Sequence, residues 1–245
     1  MKYRNCVIVI PARYASSRFP GKVLANLCGK PMIQHVYERA QNTRANEVLI
    51  AADNEIVKTA VEEFGGKCVM TSTRHQSGTD RIQEAVSGGD YEIIINVQGD
   101  EPLIPSSVID ELIELMEKNS HVMMATVAVP ADRKKLADPN KVKVVLSNNG
   151  SALYFSRSMI PFLREGGVDM PTYLHWGIYA YRRSVLEKFV TLPPGKLENC
   201  EKLEQLRALE NNIPIQVLIT NIETIGVDTP DDLVQAEARL RSMQG

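Results

Sequence analysis

Apolar positions along the chain follow two periods, and in the first half the two alternate. Residues 6–11, CVIVIP, form an unbroken apolar run stopped by proline, which predicts a first strand buried on both faces. Pro31 then suits the first turn of a helix running to about residue 42, with Met32, Val36 and Tyr37 on its inner face. A second strand over 47–52 ends in Asp53 and Asn54, and a helix follows to Phe64, closed by Gly65 and Gly66. Residues 67–70 read as a third short strand, and Ser77 or Thr79 caps a helix beginning near Asp80. The run 93–97 is again apolar and β-branched, ends abruptly in Gln98-Gly99-Asp100-Glu101-Pro102, and leads into a helix over 105–118. Strands alternating with helices are the signature of an α/β fold, a mostly parallel sheet covered by helices on both faces.

Beyond residue 121 the alternation breaks. Strands are expected over 122–130, 141–146, 152–156 and from Trp176 to Tyr181, one after another, which predicts an antiparallel extension inserted in or added to the alternating half. Residues 198–207 show helical spacing, and their charges read as a solvated, salt-bridged face. Residues 214–219 and 223–227 read as further β segments. The last helix opens with Thr229 as cap, Pro230 in the first helical position and Asp232 completing a capping box. The expected organisation is one domain over 1–245, with 1–120 and 210–245 as its α/β core. Residues from about 121 to 209 then supply a second substrate's pocket and a dimer contact.

Candidate chemistry gathers where the parallel strands end, because ligands of open α/β sheets sit beyond the carboxyl ends of the strands. Asp100 lies at such an end, either as a hard oxygen ligand suited to Mg²⁺ or as a solvated turn residue. Asp228, at the end of a β segment, is left over once the cap of the last helix is explained, and a second carboxylate there completes a metal site with Asp100. Residues 12–22, ARYASSRFPGK, carry Arg13, Arg18 and Lys22 among small residues. They form either a cradle for a polyphosphate or a solvated basic loop. A phosphate-loop ATPase is excluded, since Leu24 stands at the first glycine of the pattern around Gly29 and Lys30, and Pro31 follows the lysine. The polar turn from Ser77 to Arg81 either caps a helix only or also grips a base edge. Arg157, after the strand ALYFS, is either a bidentate partner for a carboxylate or a surface arginine. His175 precedes a strand in which Tyr179 and Tyr181 face a pocket or simply pack.

The remaining composition narrows the class. A formal net charge of −2 leaves no basic excess with which to neutralise a nucleic-acid backbone. Cys6, Cys28, Cys68 and Cys200 lack paired metal-ligand spacing and read as reduced, mostly buried thiols, so catalytic zinc is not expected. The N-terminus enters a strand at once and shows no stretch apolar enough for a signal peptide or membrane span, which points to the cytoplasm.

Taken in order and at their separations, ARYASSRFPGK, SGTDR, NVQGDEP, ALYFSR, IYAYR, EKLEQLR and GVDTPDDL closely resemble the 3-deoxy-manno-octulosonate cytidylyltransferase family. The match spans essentially the whole chain. The resemblance implies a nucleotide-binding α/β domain with an antiparallel insertion that binds the sugar and helps form a homodimer. It implies transfer of CMP from CTP to the anomeric hydroxyl of 3-deoxy-D-manno-octulosonate (Kdo), with Mg²⁺ required and pyrophosphate released, activating Kdo for lipopolysaccharide biosynthesis. By the same resemblance Arg13, Arg18 and Lys22 match the triphosphate loop, and Asp100 and Asp228 the metal-binding aspartates. Ser77, Gly78, Thr79, Asp80, Arg81 and Gln98 match the cytidine region, and Arg157, His175, Tyr179, Glu201, Glu204 and Gln205 match segments lining the sugar pocket. Trp176 stands where many relatives place a smaller aliphatic residue, and Cys200 within the segment leading to the acidic helix; neither removes a motif. The alternatives are a cytidylyltransferase for a related acidic sugar, such as 8-amino-Kdo or a sialic acid, and a non-catalytic nucleotide-binding protein. The latter would have lost the basic loop or a metal carboxylate, and both are present.

Overall fold

A computed structural model describes residues 5–15, 19–168 and 170–244. In chain order the elements begin with β1 (Cys6–Ala12), the small hairpin β2 (Asn26–Leu27) and β3 (Lys30–Pro31), α1 (Met32–Gln41), β4 (Glu47–Ala52) and α2 (Glu55–Glu63). They continue with β5 (Cys68–Met70), α3 (Gly78–Val86), β6 (Ile93–Asn96), α4 (Ser106–Lys118), β7 (Met124–Pro130), β8 (Lys143–Leu146) and β9 (Ala152–Ser156). The chain closes with β10 (Tyr173–Arg182), α5 (Arg183–Thr191), α6 (Lys196–Glu201), α7 (Leu206–Glu210), β11 (Ile215–Ile219) and α8 (Pro230–Gln244). Two compact units result, residues 1–113 with 224–245, and residues 114–223.

In the first unit β6, β1, β4 and β5 lie side by side in that order, all parallel. Cys6 to Ile10 are fully buried, as a strand covered on both faces requires. The chain leaves β1 toward β4 on one side and later returns to β6 on the other. Strand order therefore reverses beside β1, and the loops after β1 and β6 open onto a common crevice at the carboxyl edge. Met32, Val36 and Tyr37 of α1 are buried as their spacing predicts. Met32, Leu27, Leu103, Val227, Ala236 and Leu240 form one apolar cluster that seats the C-terminal helix α8 in this unit.

In the second unit β11 runs parallel to β7, while β7–β10, β10–β8 and β8–β9 are antiparallel. The β7–β10 register breaks between Trp176 and Tyr179, where β10 carries a bulge.

Four expectations are corrected. The helix expected over 198–207 is two short helices, α6 and α7, because Lys202 adopts a left-handed φ of 54° that ends the first. Its charges are not simply solvated: the Arg207 side chain is only 9% exposed, forms an ion pair with Glu198 and lies 4.9 Å above the Phe189 ring. No strand forms over 223–227; that segment runs extended past residue 100 instead, with the Val227 amide donating to the Asp100 carbonyl at 2.8 Å. Of the four free cysteines only Cys6 is buried, and Cys200 is exposed. Helix α5 was not foreseen, although Val185, Leu186 and Phe189 face inward at helical spacing.

Candidate active site

Several charged residues of the first unit lie where the parallel strands end. Arg13 leaves β1, Asp53 follows β4, and Asp100 follows β6 through the tight turn at Gly99. Gly99 is there for space: a Cβ would stand 3.0 Å from the Pro11 carbonyl oxygen and 3.1 Å from Ile33 Cδ1. Asp228 comes from the other end of the sequence, on the extended segment held to Asp100 by the Val227 hydrogen bond. Thr229 and Asp232 then open α8 with the expected reciprocal bonds, Asp232 accepting from the Thr229 amide at 2.9 Å. That capping box turns the chain at Asp228 and leaves its side chain half exposed at the crevice.

Lys22 joins the two acids. Its Nζ donates to Asp100 Oδ2 at 2.7 Å and to Asp228 Oδ1 at 3.0 Å, with its own side chain only 12% exposed. Burial opposes the ammonium charge, but attraction and hydrogen bonding from Asp100, and then from Asp228, outweigh it and raise the lysine pKa. The local backbone is shaped for this: Gly21 takes a left-handed φ of 68°, its amide donates to the Tyr14 carbonyl, and a single 3₁₀ turn begins at Lys22.

Arg13 projects from the same loop toward the segment before α3, its Nη1 and Nη2 each 3.4 Å from the carbonyls of Gln76 and His75. Ser77 caps α3 and Asp80 returns the bond to the Ser77 amide, so both side chains are engaged in a capping box. Gly78 packs on Pro11 at the end of β1. Thr79 and Arg81 are buried, and Gln98 donates to Asn96 Oδ1 at 3.1 Å. Arg13, Lys22, Asp100, Asp228 and the 77–81 turn thus all belong to the strand-end region of one unit. Arg18 lies outside the described residues.

Asp53 is a residue that the sequence reading passed over. Its Oδ1 accepts the Tyr14 amide at 3.1 Å and its Oδ2 accepts from Arg81 Nη2 at 3.0 Å, with Arg13 Nε 3.9 Å away. One carboxylate thereby ties the basic loop to α3, and Arg81, wholly buried, has its other end on Thr71 Oγ1. Its signal was available, since it follows a buried parallel strand as Asp100 does.

In the second unit the candidate sugar residues cluster around the end of β9. Glu201 accepts from the Ser156 hydroxyl at 2.6 Å and from the Arg157 amide at 2.9 Å. Burial opposes ionisation of Glu201, yet these two bonds and the nearby cations hold its pKa below the usual range. The Arg157 guanidinium donates to main-chain carbonyls of Glu201, Pro139 and Lys202, so it ties the end of β9 to the end of α6 and to the segment before β8. Lys143, fully buried, adds a second cation there and donates to the Asp138, Lys141 and Arg157 carbonyls. Phe155, on β9, meets the His175 ring edge-on at 4.9 Å, and Tyr179 follows at 5.4 Å from His175. Glu204 stands 3.8 Å from Arg207, and Gln205 is buried.

Thr126, also passed over, organises this group. Its hydroxyl lies 2.9 Å from His175 Nε2 and bonds the Trp176 and Ile178 carbonyls at the β10 bulge. A bulge re-aims the side chains beyond it, which brings the Tyr179 ring beside His175. Packed beside Phe155, Thr126 and Tyr179, the half-buried imidazole is pushed by desolvation down to about 3, and the same loss of water raises the half-buried Tyr179 phenol well above its ordinary value. Both groups are therefore neutral near pH 7.

A family model described as Cytidylyltransferase matches residues 7–222. The 8-amino-3,8-dideoxy-manno-octulosonate cytidylyltransferase of Shewanella pealeana is 52% identical, the match covering 96% of this chain and 98% of that protein. The 3-deoxy-manno-octulosonate cytidylyltransferase of Pelobacter propionicus is 49% identical over 98% of this chain and 99% of its own. A solved structure of CMP:2-keto-3-deoxy-manno-octonic acid synthetase, complexed with CTP, superposes with a TM-score of 0.93 at 44% identity, covering 97% of this chain and 99% of that one. Agreement of sequence and fold over nearly the full length of each leads to one conclusion: the chain belongs to the cytidylyltransferase family, within the group of manno-octulosonate enzymes.

Proposed function

We propose that this enzyme transfers CMP from CTP to the anomeric hydroxyl of Kdo, releasing pyrophosphate and activating the sugar for lipopolysaccharide assembly in the cytoplasm, and that it works as a homodimer. The observation that carries the reading is the convergence of Lys22, Asp100 and Asp228 beside the Arg13 loop, at the strand-end crevice where nucleotides bind in such sheets.

Nucleotidyl transfer needs positioning and neutralised charge more than covalent chemistry. Arg13, Arg18 and Lys22 hold the triphosphate and stabilise the charge that builds on the departing pyrophosphate. The turn from Ser77 to Arg81, with Gln98, faces the cytidine. Arg157, His175, Tyr179, Glu201, Glu204 and Gln205 shape the sugar pocket, in which neutral His175 and Tyr179 offer hydrogen bonds without adding charge beside the anionic sugar.

Asp100 and Asp228 fit Mg²⁺, because both already share one cation and offer the hard oxygens it takes. Such an ion would be completed by phosphate oxygens and water, as Mg²⁺ held by one or two carboxylates usually is. When bound, Mg²⁺ supplies charge to the α-phosphate and acidifies the attacking hydroxyl.

A second reading, the 8-amino analogue as acceptor, is favoured by the name of the Shewanella pealeana relative at 52% identity. Pyrophosphate release from CTP and Mg²⁺ with Kdo, its 8-amino analogue or a sialic acid, beside a metal-free control, tests both. Release with Kdo alone is expected. Release only with the amino sugar would move the acceptor, and release with none would overturn the proposal.

A further inference from the structure

The Lys22 ammonium lies where a metal held by Asp100 and Asp228 would have to be, and it bonds one oxygen of each. Lys22 is a flexible point charge on a four-carbon stem, so it can leave one anion for another without rearranging the backbone. The loop that carries it also carries Arg13, a second cation available to a polyphosphate.

We infer that Lys22 is an internal stand-in for the metal, which holds the two aspartates together before nucleotide arrives and is exchanged for a divalent cation when it does. The inference rests on the metal reading proposed above and deepens it, since it fixes the order of entry. Joint occupancy is disfavoured, because a divalent ion beside an ammonium on the same oxygens is repelled at a distance where screening is weak. A metal arriving alone must therefore evict Lys22 into water, away from two anions. A metal arriving with CTP evicts it toward the triphosphate, where the ammonium regains a partner. The site consequently discriminates between the free ion and the ion accompanied by nucleotide. It also spares the empty enzyme a pair of unneutralised carboxylates, since like charges at close range repel.

The exchange is read without turnover, by electron paramagnetic resonance of Mn²⁺ with the full-length protein. Nucleotide-free wild-type protein is expected to bind Mn²⁺ weakly, and Lys22→Met at least tenfold more tightly. The gain is expected to vanish in the double variant Lys22→Met/Asp100→Asn. Mn²⁺ is likewise expected to raise the melting temperature of Lys22→Met and to leave that of nucleotide-free wild-type protein unchanged. Lys22→Gln carries the same expectations should Lys22→Met not fold. If wild-type protein with CTP retains more Mn²⁺ than CTP alone, while both lysine variants bind the ion no better than nucleotide-free wild type, the exchange is wrong and the metal site stands. If wild-type protein adds nothing to Mn²⁺ binding by CTP and the lysine variants bind none, the metal reading falls and the exchange falls with it.

Discussion

Nζ of Lys22 stands 2.7 Å from Oδ2 of Asp100, although 78 positions separate the two residues in the chain. The contact follows from strand order. β1 and β6 are parallel neighbours, paired from Cys6–Ile93 to Val9–Asn96, so the loops that leave their carboxyl ends emerge side by side. Asp228 reaches the same ammonium on a segment held to the Asp100 carbonyl by the Val227 amide.

Asp100→Asn is expected to keep the fold, since Lys22 retains Asp228 and the turn at Gly99 is untouched. It is expected to lose turnover on the order of a thousandfold, several kcal/mol of transition-state stabilisation. Steady-state pyrophosphate release, with CTP affinity measured separately by calorimetry, checks this. Turnover within tenfold of wild type would remove Asp100 from the chemistry.

Gly99→Ala forces a methyl group against the Pro11 carbonyl and Ile33. Backbone cannot yield as a flexible side chain does, so the Asp100 turn must shift, with a stability loss of about 1–3 kcal/mol. Turnover is expected to fall by more than the melting temperature implies, because a displaced carboxylate is costly even in folded protein. An unchanged kcat would show that the turn tolerates the methyl.

Asp53→Ala leaves the Arg81 guanidinium wholly buried without its carboxylate. Removing one partner of a buried pair typically costs roughly 3–5 kcal/mol. Denaturant unfolding is expected to show a loss in that range, and CTP affinity of the folded fraction to fall as the Tyr14 amide loses its acceptor. A loss under about 1 kcal/mol would mean that Arg81 finds another partner or water.

The imidazole of His175 stays neutral in the folded protein down to about 3, against 6.5 for the ordinary side chain. Between those values the unfolded chain binds a proton that the folded chain does not. The stability this contributes is fully present above pH 6.5 and is lost as pH falls below it, by at most about 1.4 kcal/mol per pH unit. Denaturant midpoints at pH 7.5 and 5.5 are expected to drop further for wild type than for His175→Gln. Equal drops would assign the acid sensitivity to other groups.

Much of this was legible in one dimension because local rules governed it. The apolar run before Asp100, the α3 cap, which falls to Ser77 of the two residues offered for it, and the box formed by Thr229 and Asp232 are made by neighbours in sequence, and all three appear. The helix expected over 198–207 failed because spacing alone does not register Lys202 turning left-handed, nor Arg207 folding back onto Glu198 and Phe189. The strand expected over 223–227 failed for a related reason: its apolar residues pack on the α8 cluster and its amide at Val227 is taken by a turn rather than a ladder.

The sequence by itself determined the alternation of strands and helices, the class of chemistry and the residues able to carry it, because periodicity, capping and residue type act over a few positions. Only the tertiary structure decided that Asp53 ties the basic loop to α3, that Thr126 sets His175 beside Tyr179, and that Lys22 lies between two aspartates. Those relationships depend on which strands become neighbours and where their ends emerge, which is a property of the packed sheet and of no single segment.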